Sequence, residues 1–225
     1  MTQTKKNFTV IELMVVVSIL AALLSLLLPS FKKVLNHNDT ITCQTKLKQH
    51  YISNELYADD NSDVYVVIGS SPWNYTWFRN KAYLSYFETE AENIHQDPNF
   101  SCPKQTNPSY RGFSYAFNWY NDGWSWSSIK NKALVRNKLD TPSKKITMVD
   151  HTDWHSAIWS IDPQVWLDYG EVRSNRVAYR HDYGTNASFG DGHVEHRSME
   201  EMYYGGNRSQ INEIWRLNGD AFYSP

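Results

Sequence analysis

The chain has 225 residues, of which 41% are hydrophobic, and this size fits one moderate core with an added anchoring element rather than two full domains. Its 22 Lys and Arg residues nearly balance 24 Asp and Glu residues, and no dense basic run follows the first six residues, which argues against nucleic-acid binding. The two cysteines, Cys43 and Cys102, exclude a disulfide-dense scaffold and any zinc site made of several cysteines, but they leave a single bridge open.

The first predicted element is an apolar helix over residues 8–28, in which Glu12 is the only charged residue. At about 1.5 Å per residue, a helix of about 20 residues crosses the hydrocarbon core of a bilayer. A secretory signal peptide is the alternative, because Lys5 and Lys6 precede the apolar stretch, but no small-x-small cleavage site closes it. Basic residues flank the stretch on both sides, so charge alone leaves its orientation open. We therefore predict a membrane span.

Glu12 is the informative residue of this span. An acidic side chain inside an apolar span costs about 2.5 kcal/mol or more and normally has a partner. If the chain is cut between Asn7 and Phe8, the new amino terminus of a neighbouring subunit can supply the counter-charge in a medium of low dielectric constant. Glu12 is then predicted to set the register of assembly.

The run Lys-Lys-Asn-Phe-Thr-Val-Ile-Glu-Leu over residues 5–13 resembles the class III signal of type IV prepilins and type II secretion pseudopilins. The shared features are a basic leader, a cleavage site before Phe8 and a glutamate, Glu12, at the fifth position after the cut. Asn7 stands where that family usually has glycine. The resemblance implies that a prepilin peptidase removes residues 1–7 as a leader and methylates the amino group of Phe8.

Residues 29–60 are predicted to continue the same helix outside the membrane, because few helix breakers occur and apolar residues recur at loosely helical spacing. Pro29 falls where many pilins have a helix-bending proline, in agreement with its loss of a backbone donor. The polar run 36–40 predicts a kink or short break, since such residues prefer caps and turns to helix interiors.

Both cysteines lie in runs that resemble signatures of one prepilin-like group, the planctomycete and lentisphaera type. Cys43 begins a Cys-x-x-x-Leu-Lys-Gln run, and Cys102 is followed by Pro103. In an oxidising periplasm, the resemblance allows a bridge between Cys43 and Cys102 that ties the helix to the following domain. Two buried thiols are the alternative.

Residues 57–108 read as a loop-rich region with few clear strands. An acidic cluster at its start has oxygen ligands that suit Ca²⁺, but it lacks the glycine and the distal glutamate of an EF-hand loop. A solvated helix end is therefore the preferred interpretation. The cluster consists of Asp59, Asp60, Asn61 and Asp63.

The C-terminal half predicts strands and short helices. Residues 145–150 read as a buried strand and residues 176–181 as an alternating one. Residues 187–189 and 193–196 bracket Gly190-Asp191-Gly192, which favours a hairpin with a tight type I′ turn. The tail is predicted to form one or two short helices that pack on the sheet, at residues 199–204 and 210–215, with the break at Gly205-Gly206.

His181 is followed, after nine residues, by Asp191 and Gly192, and this spacing resembles the His-x9-Asp-Gly motif of the same prepilin-like group. A strand, a turn and a second strand are predicted to bring His181 near the Asp191 turn, where a histidine-carboxylate hydrogen bond would pin the hairpin. A metal site is the rival interpretation, but strand alternation places His193 and His196 on opposite faces, so no metal is predicted. The rival sets are His181, Asp191, His193 and His196, or Asp150, His151, Asp153 and His155.

These features predict an α+β fold of pilin-like type, with a long N-terminal α-helix, embedded in the membrane over its first half, on a C-terminal antiparallel β-sheet domain of residues 61–225. No Gly-x-Ser-x-Gly, His-Glu-x-x-His or phosphate loop occurs, so neither enzymatic activity nor a cofactor is predicted. The resemblance implies a structural subunit of a type IV pilus or type II secretion filament. Its partners would be prepilin peptidase, other pilin subunits and inner-membrane lipid, with the C-terminal domain in the periplasm, or at the cell surface after assembly.

A second hypothesis comes from the aromatic content of 15%, with nine Trp and fifteen Tyr residues. Exposed rings in the segments 73–78 and 119–126 would let a membrane-tethered module stack on polysaccharide, with Trp124 and Trp126 as the residues to test. Core and strand packing is the alternative use of the same rings.

Overall fold

The structure is a computed structural model that describes residues 9–69, 76–87, 89, 94, 97, 100–106, 113–119, 132–217 and 222–223. The chain divides into two units, Met1–Asn38 and Asp39–Pro225. The predicted α+β fold, a long N-terminal helix followed by a sheet domain on which it packs, is confirmed.

Helix α1 is 51 residues long and runs from Val10 to Asp60. A capping box starts it, because the Thr9 N–H donates to Glu12 Oε2 at 2.8 Å and the Glu12 N–H donates to Thr9 Oγ1 at 3.2 Å. Between Val10 and Leu35 its large apolar side chains are 47% to 75% exposed. By length and composition, α1 can cross a membrane.

Pro29 lies inside α1, and the helix also continues through residues 36–40. The break predicted in that polar run is therefore wrong. Weak local preferences for turns are overridden because the helix turns that follow are packed, with Cys43 and Leu47 fully buried.

Among the described residues, the remaining helices are short, and ordered 3₁₀ turns connect several elements. The α-helices are α2 (Lys81–Leu84), α3 (Pro163–Tyr169), α4 (Met199–Tyr203) and α5 (Arg208–Trp215). The 3₁₀ turns are Ser85–Phe87, Arg136–Lys138, Pro142–Lys144, Ile158–Ser160, Gly170–Val172 and Tyr204–Gly206. Helices α4 and α5 confirm the predicted pair of tail helices and the break between them.

The strands in chain order are β1 (Tyr115–Asn118), β2 (Ala133–Leu134), β3 (Ile146–Asp150), β4 (His155–Ser156), β5 (Gly184–Phe189), β6 (Val194–Ser198) and β7 (Phe222–Tyr223). One sheet has the order β4-β1-β3-β5-β6, and β2 pairs with β7 in a second one. Neighbours in the first sheet are antiparallel except β4, a two-residue edge strand that runs parallel to β1. The sheet is thus mixed at this one edge.

The predicted strand at 145–150 is confirmed as β3, and the predicted hairpin is confirmed as β5 and β6. Its turn is not of type I′, because Gly192 has a φ of +85° while Asp191 keeps a negative φ. The Gly192 N–H donates to Phe189 O at 2.9 Å, so a three-residue loop ends on a left-handed glycine.

The alternating strand predicted at 176–181 is wrong. Val177 and Ala178 are both fully buried, and Tyr179 is also buried, so side chains on both faces are covered. The Val177 N–H donates to Ser160 O, and the Ala178 N–H donates to Asp150 O, both at 2.9 Å. Val177 forms only an isolated antiparallel bridge with His151, so the segment does not extend into a strand.

The core of the second unit lies between α1 and the sheet. Cys43 and Leu47 of α1 belong to one cluster with Ile146 and Met148 of β3 and Trp215 of α5. These side chains are almost completely buried, which indicates that the C-terminal part of α1 is an integral element of this unit.

Candidate functional site

The residues predicted to act in processing and assembly lie at the start of the chain. Asn7 and Phe8 are outside the described residues. Glu12 lies in the first turn of α1, where the Thr9 hydroxyl also donates to its Oε2 at 2.9 Å. Because both Thr9 donors are neutral groups, they satisfy the carboxylate as a hydrogen-bond acceptor and leave its charge to be balanced by another group.

Three residues from separate motifs meet in the interior of the second unit. Cys43 on α1, Cys102 in the loop before β1 and His181 just before β5 place one side-chain ligand atom each within 4.8 Å of one another. All three are buried, with exposures of 0%, 3% and 0%. Cys102 Sγ lies 3.4 Å from His181 Nε2.

Both cysteines are free thiols in the structure. Their mutual hydrogen bond lowers the pKa of Cys102, and the same contact together with burial raises the pKa of Cys43. The structure places the two sulfurs close together, and the bridge between them stays a prediction.

Asp150, the last residue of β3, completes this cluster. Its Oδ2 lies 3.4 Å from His181 Nε2 and accepts hydrogen bonds from the Asn186 backbone N–H at 2.8 Å and side-chain Nδ2 at 3.0 Å. Among the described residues, its Oδ1 has no hydrogen-bond partner, although Asp150 is fully buried. Burial raises the pKa of Asp150 to about 7.

His181 contacts both α1 and the sheet. Its Nδ1 lies 3.2 Å from Thr40 Oγ1, and its Nε2 faces Cys102 and Asp150. Burial by itself lowers the pKa of His181, but the contacts with Cys102 and Asp150 outweigh burial and raise it. The imidazole thus links the helix to the sheet through both ring nitrogens.

The predicted hydrogen bond between His181 and Asp191 is wrong. His181 precedes β5 and Asp191 follows it, so the length of a strand separates the two side chains. Asp191 Oδ1 accepts instead from His193 Nδ1 at 2.6 Å on the surface, while His196 Nε2 donates to the backbone oxygen of His181 at 2.7 Å. The four residues of that rival metal set therefore do not converge.

Both ends of the His-x9-Asp-Gly segment contact α1. His181 lies beside Thr40, and the Gly192 carbonyl accepts a hydrogen bond from Lys48 Nζ at 2.6 Å. These two helix positions are about 12 Å apart along the helix axis, and the six residues of β5 span about 20 Å. The two ends of the segment thus dock on one helix at two separate points.

The acidic cluster at the end of α1 binds an arginine. Arg136 Nη1 lies 2.7 Å from Asp59 Oδ1 and 3.1 Å from Glu55 Oε2, and Arg136 Nη2 contacts Asp63. The guanidinium therefore occupies the position that the calcium alternative assigned to a cation.

The aromatic segments are partly in the core. Trp77, Phe78 and Trp119 are 1%, 6% and 5% exposed, which places these rings in packing contacts. Trp124 and Trp126, the residues chosen for the polysaccharide hypothesis, are outside the described residues.

Sequence reasoning named Cys43, Cys102 and His181 but missed Asp150 as the carboxylate that faces His181. One signal in the sequence marked Asp150: it ends a buried strand, and a buried carboxylate requires a partner. The identity of its partner depends on the order of strands in the sheet and carries no local signature.

The chain matches no protein-family model, no curated protein and no solved structure.

Proposed function

We propose that the chain is a structural subunit, pilin-like or pseudopilin-like, of a filament of the type IV pilus or type II secretion kind. In this proposal prepilin peptidase cuts before Phe8, α1 anchors the subunit in the inner membrane, and the unit Asp39–Pro225 lies in the periplasm until assembly. The observation that carries the proposal is a continuous helix whose first half is apolar and exposed and whose first turn holds one acid, Glu12.

The exposed apolar half of α1 requires a non-aqueous environment. Side chains such as Val10, Ile11 and Leu26 are 70%, 74% and 75% exposed, and a continuous apolar surface of this kind is stable in lipid or against other helices. A membrane supplies the first environment before assembly, and the helices of neighbouring subunits supply the second within a filament.

Glu12 supports assembly over simple anchoring. An anchor helix gains nothing from an acid, since the charge opposes insertion by about 2.5 kcal/mol or more. In a filament the acid can fix the axial position of neighbouring subunits, because the free amino group of a neighbouring Phe8 can approach the carboxylate only at one relative height of the two helices. The charge left unbalanced by Thr9 is the one that this amino group would neutralise.

Intact-mass measurement of the protein extracted from membranes tests the proposal. With prepilin peptidase present, we expect a chain that begins at Phe8 and carries one added methyl group. Cells that lack the peptidase are the matched control and should retain the full leader. A chain that keeps Met1 in both strains, or one cut beyond Leu28, contradicts the proposal.

A further inference from the structure

We propose that Cys43, Cys102, His181 and Asp150 form a structural zinc site that joins α1 to the sheet. This inference does not depend on the proposed filament function. It rests on the convergence of two thiols, one imidazole and one carboxylate in a buried space.

The distances fit a tetrahedral ion. Zinc binds thiolate sulfur at about 2.3 Å and imidazole nitrogen at about 2.0–2.1 Å, so a sulfur and a nitrogen on one ion lie about 3.5 Å apart. Cys102 Sγ and His181 Nε2 are 3.4 Å apart. Cys43 Sγ lies within 4.8 Å of both atoms, so a small side-chain adjustment brings the third ligand to the same centre.

Asp150 supplies the fourth ligand. A carboxylate oxygen and a nitrogen bound to one zinc ion lie about 3.4 Å apart, and Asp150 Oδ2 is 3.4 Å from His181 Nε2. Its Oδ1 is buried and finds no hydrogen-bond partner in the part of the chain that the structure describes, which is costly for a carboxylate in the absence of a cation. Coordination by either oxygen would stabilise the charged form of this group.

The surrounding groups orient the ligands. A metal at His181 Nε2 leaves Nδ1 to carry the proton, and Nδ1 then donates to Thr40 Oγ1 at 3.2 Å. The Asn186 backbone and side chain hold the Asp150 carboxylate from the opposite side. The two cysteines bind as thiolates, so their protons are released to solvent when the metal binds.

The ligand set selects the metal and its role. Two thiolates and an imidazole favour zinc over magnesium or calcium, which prefer oxygen ligands. Full burial leaves no open position for substrate, so the site is structural.

The low number of cysteines in the chain argued against a zinc site of several cysteines, whereas a mixed site needs only these two. A bridge between Cys43 and Cys102 would consume both ligands, so the two states exclude each other.

Metal titration of the full-length protein in detergent tests the site. The protein is purified with reductant, stripped with a chelator and titrated with Zn²⁺ and, separately, with Co²⁺. We expect one equivalent of metal per chain, a thiolate-to-cobalt charge-transfer absorption that Zn²⁺ removes, and protection of both thiols from alkylation. The variants Cys43→Ser, Cys102→Ser and His181→Asn should bind at least about 100-fold more weakly.

His193→Asn is the matched control, since it removes an exposed histidine that also faces a carboxylate, and it should bind zinc as the unaltered chain does. Circular dichroism shows whether each variant folds. If the ligand variants do not fold, the cobalt spectrum of the unaltered chain alone tests the zinc site. The proposal is overturned if the reduced chain binds no stoichiometric metal or if binding survives Cys102→Ser. It is also overturned if protein isolated without reductant contains a Cys43–Cys102 bridge and no zinc.

Discussion

Gly192 lies against the ring of Tyr51 so closely that a Cβ atom added to the glycine would be 2.2 Å from Tyr51 Cε1. Its carbonyl accepts the hydrogen bond from Lys48, and its φ is +85°. Glycine is therefore required at this position by the close approach to α1 and by the backbone conformation. With His181 beside Thr40, this contact defines the second point at which the hairpin docks on the helix.

Gly192→Ala is expected to destabilise the protein by roughly 2–5 kcal/mol, as the sum of about 1–2 kcal/mol for the left-handed backbone and about 1–3 kcal/mol for crowding. Thermal unfolding of the full-length chain in detergent measures the change. Gly206→Ala is the control, because Gly206 has nearly the same φ of +84° but its nearest added contact is at 3.6 Å. An equal loss in both variants would show that the contact with Tyr51 contributes nothing.

Glu12→Gln is expected to reduce filament assembly at least about tenfold while α1 stays intact, since a glutamine can still cap Thr9 but carries no charge to pair with a neighbouring amino terminus. Thr9→Ala is the complementary control, because it weakens the cap and keeps the charge. Pelleted filaments per membrane-inserted subunit measure both. Assembly of Glu12→Gln at the level of the unaltered chain would contradict the register role.

The buried imidazole of His50 predicts a loss of stability in mild acid. Burial lowers the pKa of His50 from 6.5 to about 3, so between these values the unfolded chain binds a proton that the folded chain does not. Stability from this group is complete above pH 6.5 and falls by up to about 1.4 kcal/mol per pH unit below it, on the order of 2 kcal/mol at pH 5.

His50→Phe should flatten that dependence. The imidazole is packed among aromatic rings, including Phe87 with ring centroids 4.9 Å apart and Trp77 at 5.7 Å, so phenylalanine suits the site. The unfolding temperatures of the unaltered chain and of His50→Phe are measured from pH 7 to pH 5. Only the slopes of unfolding temperature against pH are compared. Parallel curves would contradict the prediction.

The buried ion pair between Arg180 and Glu171 is expected to respond strongly to removal of one partner. Arg180 Nε donates to Glu171 Oε1 at 2.7 Å, and the side chains are 3% and 9% exposed. Arg180→Met leaves a buried carboxylate uncompensated and should cost roughly 3–5 kcal/mol in the free energy of unfolding. The double variant Arg180→Met/Glu171→Leu should recover part of that loss.

Lys144→Ala provides the comparison for an exposed pair. Lys144 Nζ lies 2.7 Å from Glu213 Oε1, and both side chains are more than half exposed, so solvent screens their attraction. We expect no measurable change in its unfolding temperature. A decrease as large as that of Arg180→Met would mean that burial does not determine the contribution of these ion pairs.

Several elements followed from local sequence because their signals are local. The apolar run over residues 8–28 predicts a helix able to span a membrane without any knowledge of the rest of the chain. The Gly190-Asp191-Gly192 turn predicts the hairpin, and strand β3 and helices α4 and α5 follow from their own patterns of apolar residues. Residues 176–181 were misread because burial on both faces came from partners elsewhere in the chain.

What the sequence determined by itself is the long apolar helix with its single acid, and the motifs that contain Cys43, Cys102 and His181. Only the tertiary structure decided that these three residues share one buried space, that His181 faces Asp150 and not Asp191, and that Gly192 docks on Tyr51. The physical reason is that periodicity and turn chemistry act over a few residues. Contacts between distant residues depend on strand order and on how the helix packs across the sheet.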